Sequence, residues 1–385
     1  MKLIKDERFG LERALYNSKN VTIENCRFEG IEDGESALKE CSNIIINDCY
    51  MDLRYPLWHD NSVKMNNVKM TKNCRAALWY SKDISITNSS LCGIKALREC
   101  SDVTIFNSYI DSAEFGWKTK KLTINNTTLN GEYAFFDCRD VYIDNLNMTG
   151  KYSFQYIKNM EIHNSTLKTK DAFWHTKDVT VTDTVLEGEY LAWYSENLTL
   201  IRCHIKGTQP LCYCKNLKLI DCTMENTDLS FENSEVYANI IGNVMSIKNP
   251  KAGEITVDSV DEIIMDDEKY KGQIKIKWWE KSHHFYFILI LFLIKKLLII
   301  LLIITRLLIS PTCHTRLSDI TSYEIKPTDL LFSSITNTWM NEFTLASKYK
   351  SPIFSSFIFK ANTSFTIKEL LYVNILVYFS LFNFK

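Results

Sequence analysis

Short runs in which apolar and polar residues alternate recur along the first two thirds of the chain at a fixed spacing. The first apolar residue of each run gives the series Val21, Ile44, Val63, Ile84, Val103, Leu122, Val141, Met160, Val179, Leu198, Leu217, Val236, Ile255 and Ile274. Every step from Val103 to Val236 is 19 residues, and Ile255 and Ile274 continue the count. Alternation within a run describes a strand with one buried face. One such strand per fixed repeat describes a solenoid, in which each unit buries its apolar edge on the next.

Positions in a repeat are numbered here from that first apolar residue as zero. Positions zero and +2 are apolar and +1 is polar, as in Val103, Thr104 and Ile105. Position +4 reads Asn25, Asp48, Asn67, Asn88, Asn107, Asn126, Asn145, Asn164, Asp183, then Arg202 and Asp221. Asn and Asp tolerate left-handed backbone, so this file predicts a repeated turn whose amides bond from coil to coil. Positions +7 and −6 are mostly apolar, and Gly recurs at −10, as at Gly131, Gly150 and Gly207. Each repeat therefore carries about three short inward-facing segments. The prediction is a right-handed, single-stranded parallel β-helix of about 12–14 rungs over residues 1–276, roughly 65 Å long at strand spacing. Right-handedness is expected because left-handed forms run on multiples of six residues, which 19 is not.

Composition changes this picture in two places. The net charge of −1 excludes bulk electrostatic capture of nucleic acid. Met1-Lys2-Leu3-Ile4-Lys5-Asp6-Glu7-Arg8 lacks the apolar stretch of a signal peptide, so a cytoplasmic address is expected. The 12 cysteines do not read as a disulfide framework. Cys41, Cys100, Cys138 and Cys214 share position −3 with Ser18, Ser81 and Thr119, and Cys26, Cys49, Cys203 and Cys222 share position +5. Interchange with small residues indicates buried thiols acting as small hydrophobes. No zinc-type CxxC pair occurs, and no metal or cofactor is implied.

After residue 276 the chain is different. All 12 glycines lie at or before Gly272, and the turn file ends. Residues 277–385 are read as an unrelated apolar extension, either aberrant or carrying a membrane segment at 285–309. Lys295 and Lys296 interrupt that segment, each opposing insertion by about 2.5–3.5 kcal/mol, but its many Leu, Ile and Phe offset them. Membrane association is expected only if this tail is a natural part of the protein.

Candidate chemistry concentrates at positions −5 and −4. Position −5 holds Trp58, Trp79, Arg98, Trp117, Trp174 and Trp193, and position −4 holds Glu40, His59, Tyr80, Glu99 and His175. Aromatic residues sharing a file with charges are expected to face solvent or line a groove. Their planes would stack on sugar rings while charged neighbours supply hydrogen bonds, so the expected partner is an oligosaccharide or polysaccharide. The same pattern also fits rings that merely stack on each other and stabilise a non-catalytic scaffold or protein-interaction solenoid. The period breaks at steps of 23 (Val21 to Ile44) and 21 (Val63 to Ile84), and such insertions form loops. Beside them lie Glu40, Arg54, His59, Asp60, Arg75, Arg98 and Glu99. Any catalysis is placed there, on His59, Glu40, Glu99 and Arg98, and because Glu40 and His59 occupy one file on neighbouring rungs the geometry permits a carboxylate–imidazole contact between them. Arg54, Trp58, Asp60, Arg75, Trp79, Tyr80, Trp117, Trp174, His175 and Trp193 are assigned to substrate binding. A weaker patch is Asp171, Trp174, His175 and Glu189.

Several segments carry a family resemblance. They include Gly34-Glu-Ser-Ala-Leu-Lys-Glu40, Leu53-Arg-Tyr-Pro-Leu-Trp-His59, Cys74-Arg-Ala-Ala-Leu-Trp-Tyr80 and Asp171-Ala-Phe-Trp-His175. Over residues 1–276 the chain resembles a bacterial domain-of-unknown-function family placed among pectate-lyase-like right-handed β-helices. The resemblance supports the handedness and implies no reaction. An enzyme on this fold would be of polysaccharide lyase or glycoside hydrolase type. The polygalacturonase-like Asn-Thr-Asp and Gly-His-Gly patterns are missing, and no clustered acidic residues suggest a pectate-lyase calcium site.

Overall fold

A computed structural model describes residues 1–30, 34–277 and 294. The chain divides into two units, Met1–Phe287 and Ile288–Lys385. The first contains a parallel β-solenoid of about 14 turns. Apart from residues 277 and 294, the expected membrane segment and the rest of the tail lie outside the described residues. Among the described residues, no helix is long and apolar enough to cross a membrane.

The repeat sets the stacking. Ile44, Val63, Ile84, Val103, Leu122, Val141 and Met160 pair in one parallel file, each directly over the last. The segment from zero to +2 forms one face, as in Ser101–Phe106, and the segment around +7 forms a second, as in Tyr109–Asp111. In Lys120–Glu132 and Arg139–Lys151 the two run on as one strand. A small third sheet pairs Leu57–Trp58, Leu78–Trp79 and Leu97–Arg98. The interior is a single apolar column that includes Val103, Leu122, Ile124 and Leu129. Phe135, Phe154 and Phe173 stack face to face within it, with centroids 5.0 and 4.8 Å apart.

The turn file behaves as its chemistry requires. Every residue of it from Asn25 to Asp221 has left-handed backbone, Arg202 included. Amides bond from coil to coil, Asn107 Nδ2 to Asn88 Oδ1 at 2.6 Å and Asn145 Nδ2 to Asn126 Oδ1 at 2.8 Å. Arg202 keeps its place through a two-point contact with Asp183 of the preceding rung, both bonds 2.7 Å.

Position −3 is more demanding than size alone. Several of its Cys and Ser residues reach back to carbonyls of the preceding rung, whereas Thr119 Oγ1 is buried without a partner. Cys41 Sγ donates to Leu15 O at 3.3 Å, Ser81 Oγ to Leu57 O at 3.3 Å, Cys100 Sγ to Leu78 O at 3.6 Å and Cys214 Sγ to Ala192 O at 3.1 Å. Where a small donor stands there it satisfies a buried carbonyl that lacks a sheet partner, although Ile157 fills the same position on one rung. The described cysteines are all free, and all but Cys92 are buried. Burial pushes the thiols of Cys41, Cys100, Cys138 and Cys214 up to about 12.

The count fails near the end of the coil. Val236 pairs with Gly253, and Ile255 sits on Ala238 instead of on Val236. That coil is 17 residues long, because Glu235–Lys248 and Ala252–Ile264 run as long strands and omit a turn. Ile255 to Ile274 restores the 19-residue step. Removing two residues preserves the inward-outward alternation, so the sequence pattern hides the change.

Candidate ligand-binding surface

Four tryptophans of the −5 file perform a backbone duty absent from the sequence reading, while the indole N–H of Trp79 is buried without a partner. Trp58 Nε1 donates to Ala76 O at 2.7 Å, Trp117 Nε1 to Tyr133 O at 2.5 Å, Trp174 Nε1 to Tyr190 O at 2.8 Å and Trp193 Nε1 to Gln209 O at 2.8 Å. Each acceptor lies at position −8 of the following rung. Gln155 performs the same service, its Nε2 donating to Asp171 O at 3.3 Å. A Gln interrupting a tryptophan file was the available signal, because the two residues share an N–H donor and little else. These indoles offer a ligand apolar surface only. The rings of Trp174 and Trp193 lie 5.4 Å apart and nearly parallel, so each already covers a face of the other.

Most of the −4 file is exposed, with Glu99, Asp137 and Tyr213 half-buried, and its residues have left-handed backbone, as at His59, Tyr80, His175 and Tyr194. His59 stacks on Tyr80 at 5.0 Å, Tyr156 on His175 at 5.1 Å, His175 on Tyr194 at 5.0 Å and Tyr194 on Tyr213 at 4.9 Å. Face-to-face stacking leaves the edges, with their hydroxyls and imidazole nitrogens, pointing to solvent. Sugar stacking on open ring faces, as expected from the sequence, therefore has little ring face available along this file. Tyr156, Tyr194 and Tyr213 belong to the ladder as fully as the rings assigned from sequence. Their shared position was the signal.

Around the second insertion the structure gathers Arg54, Tyr55, Trp58, Arg75, Trp79 and Tyr80. Tyr55, which sequence reasoning passed over, is the hub. Its ring lies 4.9 Å from Trp58, with the Arg54 and Arg75 guanidiniums 5.6 and 5.7 Å from its centroid. Arg75 also donates to the Tyr55 hydroxyl at 3.3 Å, and Arg54 pairs with Glu35 at 3.1 Å. Arg98 is clamped between Trp79 at 4.8 Å and Trp117 at 5.1 Å, and its Nε lies 3.3 Å from Glu99. Glu114, also missed, lies 4.0 Å from Arg98 and 3.5 Å from Lys95.

Two expectations are corrected. Glu40 accepts the Tyr16 hydroxyl at 2.6 Å while His59 lies on Tyr80, so the anticipated carboxylate–imidazole contact is not formed. Asp60 does not face a ligand. At 2% exposure it occupies interior position −3, where Oδ1 accepts Cys41 N–H at 2.7 Å and Oδ2 has no partner. Burial pushes its carboxyl up to about 8. In the weaker patch Lys170 lies 3.9 Å from Asp171 and 3.4 Å from Glu189, and burial raises the Asp171 carboxyl. Two shallow depressions, one lined by Lys218, Tyr237 and Glu254 and one by Arg8, Asn25 and Tyr50, do not include the ring file. Among the described residues no group of His, Cys, Asp and Glu is arranged to hold a metal.

The family model described as "Protein of unknown function (DUF3737)" matches residues 2–277, nearly the whole described coil. The chain belongs to that family. No curated protein matches it. Among solved structures, the chain is similar to PfbA, a surface adhesin of Streptococcus pneumoniae, at 8% identity, 62% coverage of this chain, 83% of the adhesin and a TM-score of 0.29. It is similar to the tailspike of E. coli bacteriophage HK620, crystallised with a hexasaccharide, at 8% identity, covering 67% of this chain and 61% of the tailspike, TM-score 0.27. The catalytic domain of a GH87 alpha-1,3-glucanase in complex with nigerose gives 10% identity, 71% and 63% coverage and a TM-score of 0.26. The chain thus spans under two thirds of the tailspike and of the glucanase domain.

Proposed function

We propose that this protein binds a linear polysaccharide along the −4 file and does not transform it. The observation that carries the reading is the ladder of exposed Tyr156, His175 and Tyr194 and half-buried Tyr213, one ring per rung at about 5 Å. Such a ladder presents the same hydrogen-bonding edge at each step, which suits a ligand that repeats along its own axis. Binding is favoured over turnover because His59 and Glu40, the expected acid–base partners, are engaged with different residues. Catalysis at His59, Glu40, Glu99 and Arg98 is accordingly not part of the proposal.

The mutual stacking of the rings and the clamped Arg98 favour a second reading, a scaffold whose ladder serves stability alone. A glycan array probed with the whole chain and with Tyr194→Ala separates the two. Tyr194 sits at the centre of the ladder, so the expected result is retention of a glycan class by the natural chain and at least about tenfold weaker retention by the variant. Failure of the natural chain to retain any glycan would refute binding. Equal retention by both would remove the ladder from it.

A further inference from the structure

We infer that Lys120, Arg139, Lys158 and Lys177 form a track that selects an acidic polysaccharide lying along the coil, an inference that rests on the glycan-binding reading and adds the charge of the ligand. The four residues occupy position −2 of successive rungs and pair directly with one another in parallel register. Position −2 flanks the ring file, with only the inward position −3 between them. Lys158 therefore belongs to the rung of Tyr156, and Lys177 to that of His175.

At several other positions this coil sets opposite charges against each other from rung to rung, although Lys151 pairs with Lys170 and Arg8 with Arg27. Asp102 faces Lys121 at 3.4 Å, Glu132 faces Lys151 at 3.1 Å, Lys168 faces Glu187 at 3.6 Å and Asp183 faces Arg202 at 2.7 Å. Position −2 sets four cations in a row. Like charges directly opposite on paired strands repel, so the arrangement works against the fold unless anions are supplied from outside. Lys177 is the exception, meeting Glu196 at 3.2 Å, where the basic run ends. Lys120, Arg139 and Lys158 are exposed, and among the described residues none of them makes an ion pair.

With a net charge of −1 the whole molecule has no general attraction for polyanions, so the selectivity is local to this track. A polyuronate carries one carboxylate per sugar ring, a repeat comparable to the rung spacing of about 4.8 Å. Single-stranded nucleic acid fits less well. Its sequence-tolerant recognition relies on bases stacking on open aromatic faces, and the neighbouring ladder has those faces closed.

The test measures binding of the full chain to immobilised polymannuronate, to neutral dextran and to oligo(dT), with Lys158→Glu and Arg139→Gln as variants. Neutralising about three cations predicts a roughly 20-fold loss of polymannuronate affinity between about 50 and 200 mM salt. Lys158→Glu should lower that affinity at least about tenfold while leaving the melting temperature unchanged or higher, because it restores the alternation of charge. Arg139→Gln should lower it less and flatten the salt dependence. Unchanged polymannuronate binding by both variants, or preference for oligo(dT), would overturn the inference. Salt-insensitive binding of neutral dextran alone would overturn it while leaving the glycan-binding reading standing. Retention of no glycan would overturn both.

Discussion

Replacing Asp60 by Ser should make the coil more stable at neutral pH, and the gain should vanish in acid. Every neighbour of Asp60 at position −3 is a hydroxyl or thiol, and Cys41, Ser81 and Cys100 each donate to a carbonyl of the preceding rung. The equivalent acceptor for Asp60 is the Leu38 carbonyl. An ionised carboxylate cannot donate to it, whereas a protonated one can. Burial raises the Asp60 carboxyl from 3.8 to about 8, so at pH 7 the folded chain holds a proton that the unfolded chain has released. The folded pKa is the higher one, so stability contributed by this group is complete below about pH 4 and is lost as pH rises towards about 8. Over the 3.2 units from 3.8 to pH 7, at 1.36 kcal/mol per unit, the loss is at most about 4 kcal/mol. Ser supplies a permanent donor and removes the titration. Urea melts of the natural chain and of Asp60→Ser from about pH 5 to 8 should diverge by up to about 1.4 kcal/mol per pH unit. A difference independent of pH over that range would refute the assignment of a neutral Asp60.

Three further outcomes follow from the packing. Trp174→Phe keeps the ring but deletes the donor to Tyr190 O, and should destabilise by about 1–2 kcal/mol in chemical denaturation, whereas Trp174→Gln, which imitates Gln155, should recover part of the hydrogen-bonding loss. Gly207→Ala should destabilise by more than about 2 kcal/mol, because Gly207 has φ 130° and an added Cβ would stand 2.2 Å from Gly188 O. Among the described cysteines only Cys92 should react with a thiol reagent at neutral pH without denaturant, the others becoming reactive on unfolding. Rapid native labelling of Cys100 or Cys138 would contradict the buried, reduced column.

The sequence by itself determined the coil. A repeat of 19 residues with one alternating strand admits one way of burying the apolar edges, by stacking, and the Asx file marks the corner that each rung turns. It determined the composition of the −5 and −4 files as well, because neighbours in a solenoid are neighbours at a fixed sequence interval. Only the tertiary structure decided what those files do. Whether an indole N–H reaches solvent or the carbonyl at −8 of the next rung depends on side-chain direction, which a periodic pattern does not encode. The same holds for Asp60, whose position was legible as −3 but whose charge suggested a surface. The 17-residue coil at Val236 escaped notice because a deletion of two residues leaves alternation intact. Periodicity records which residues are stacked, and the geometry of each turn records which atoms they present.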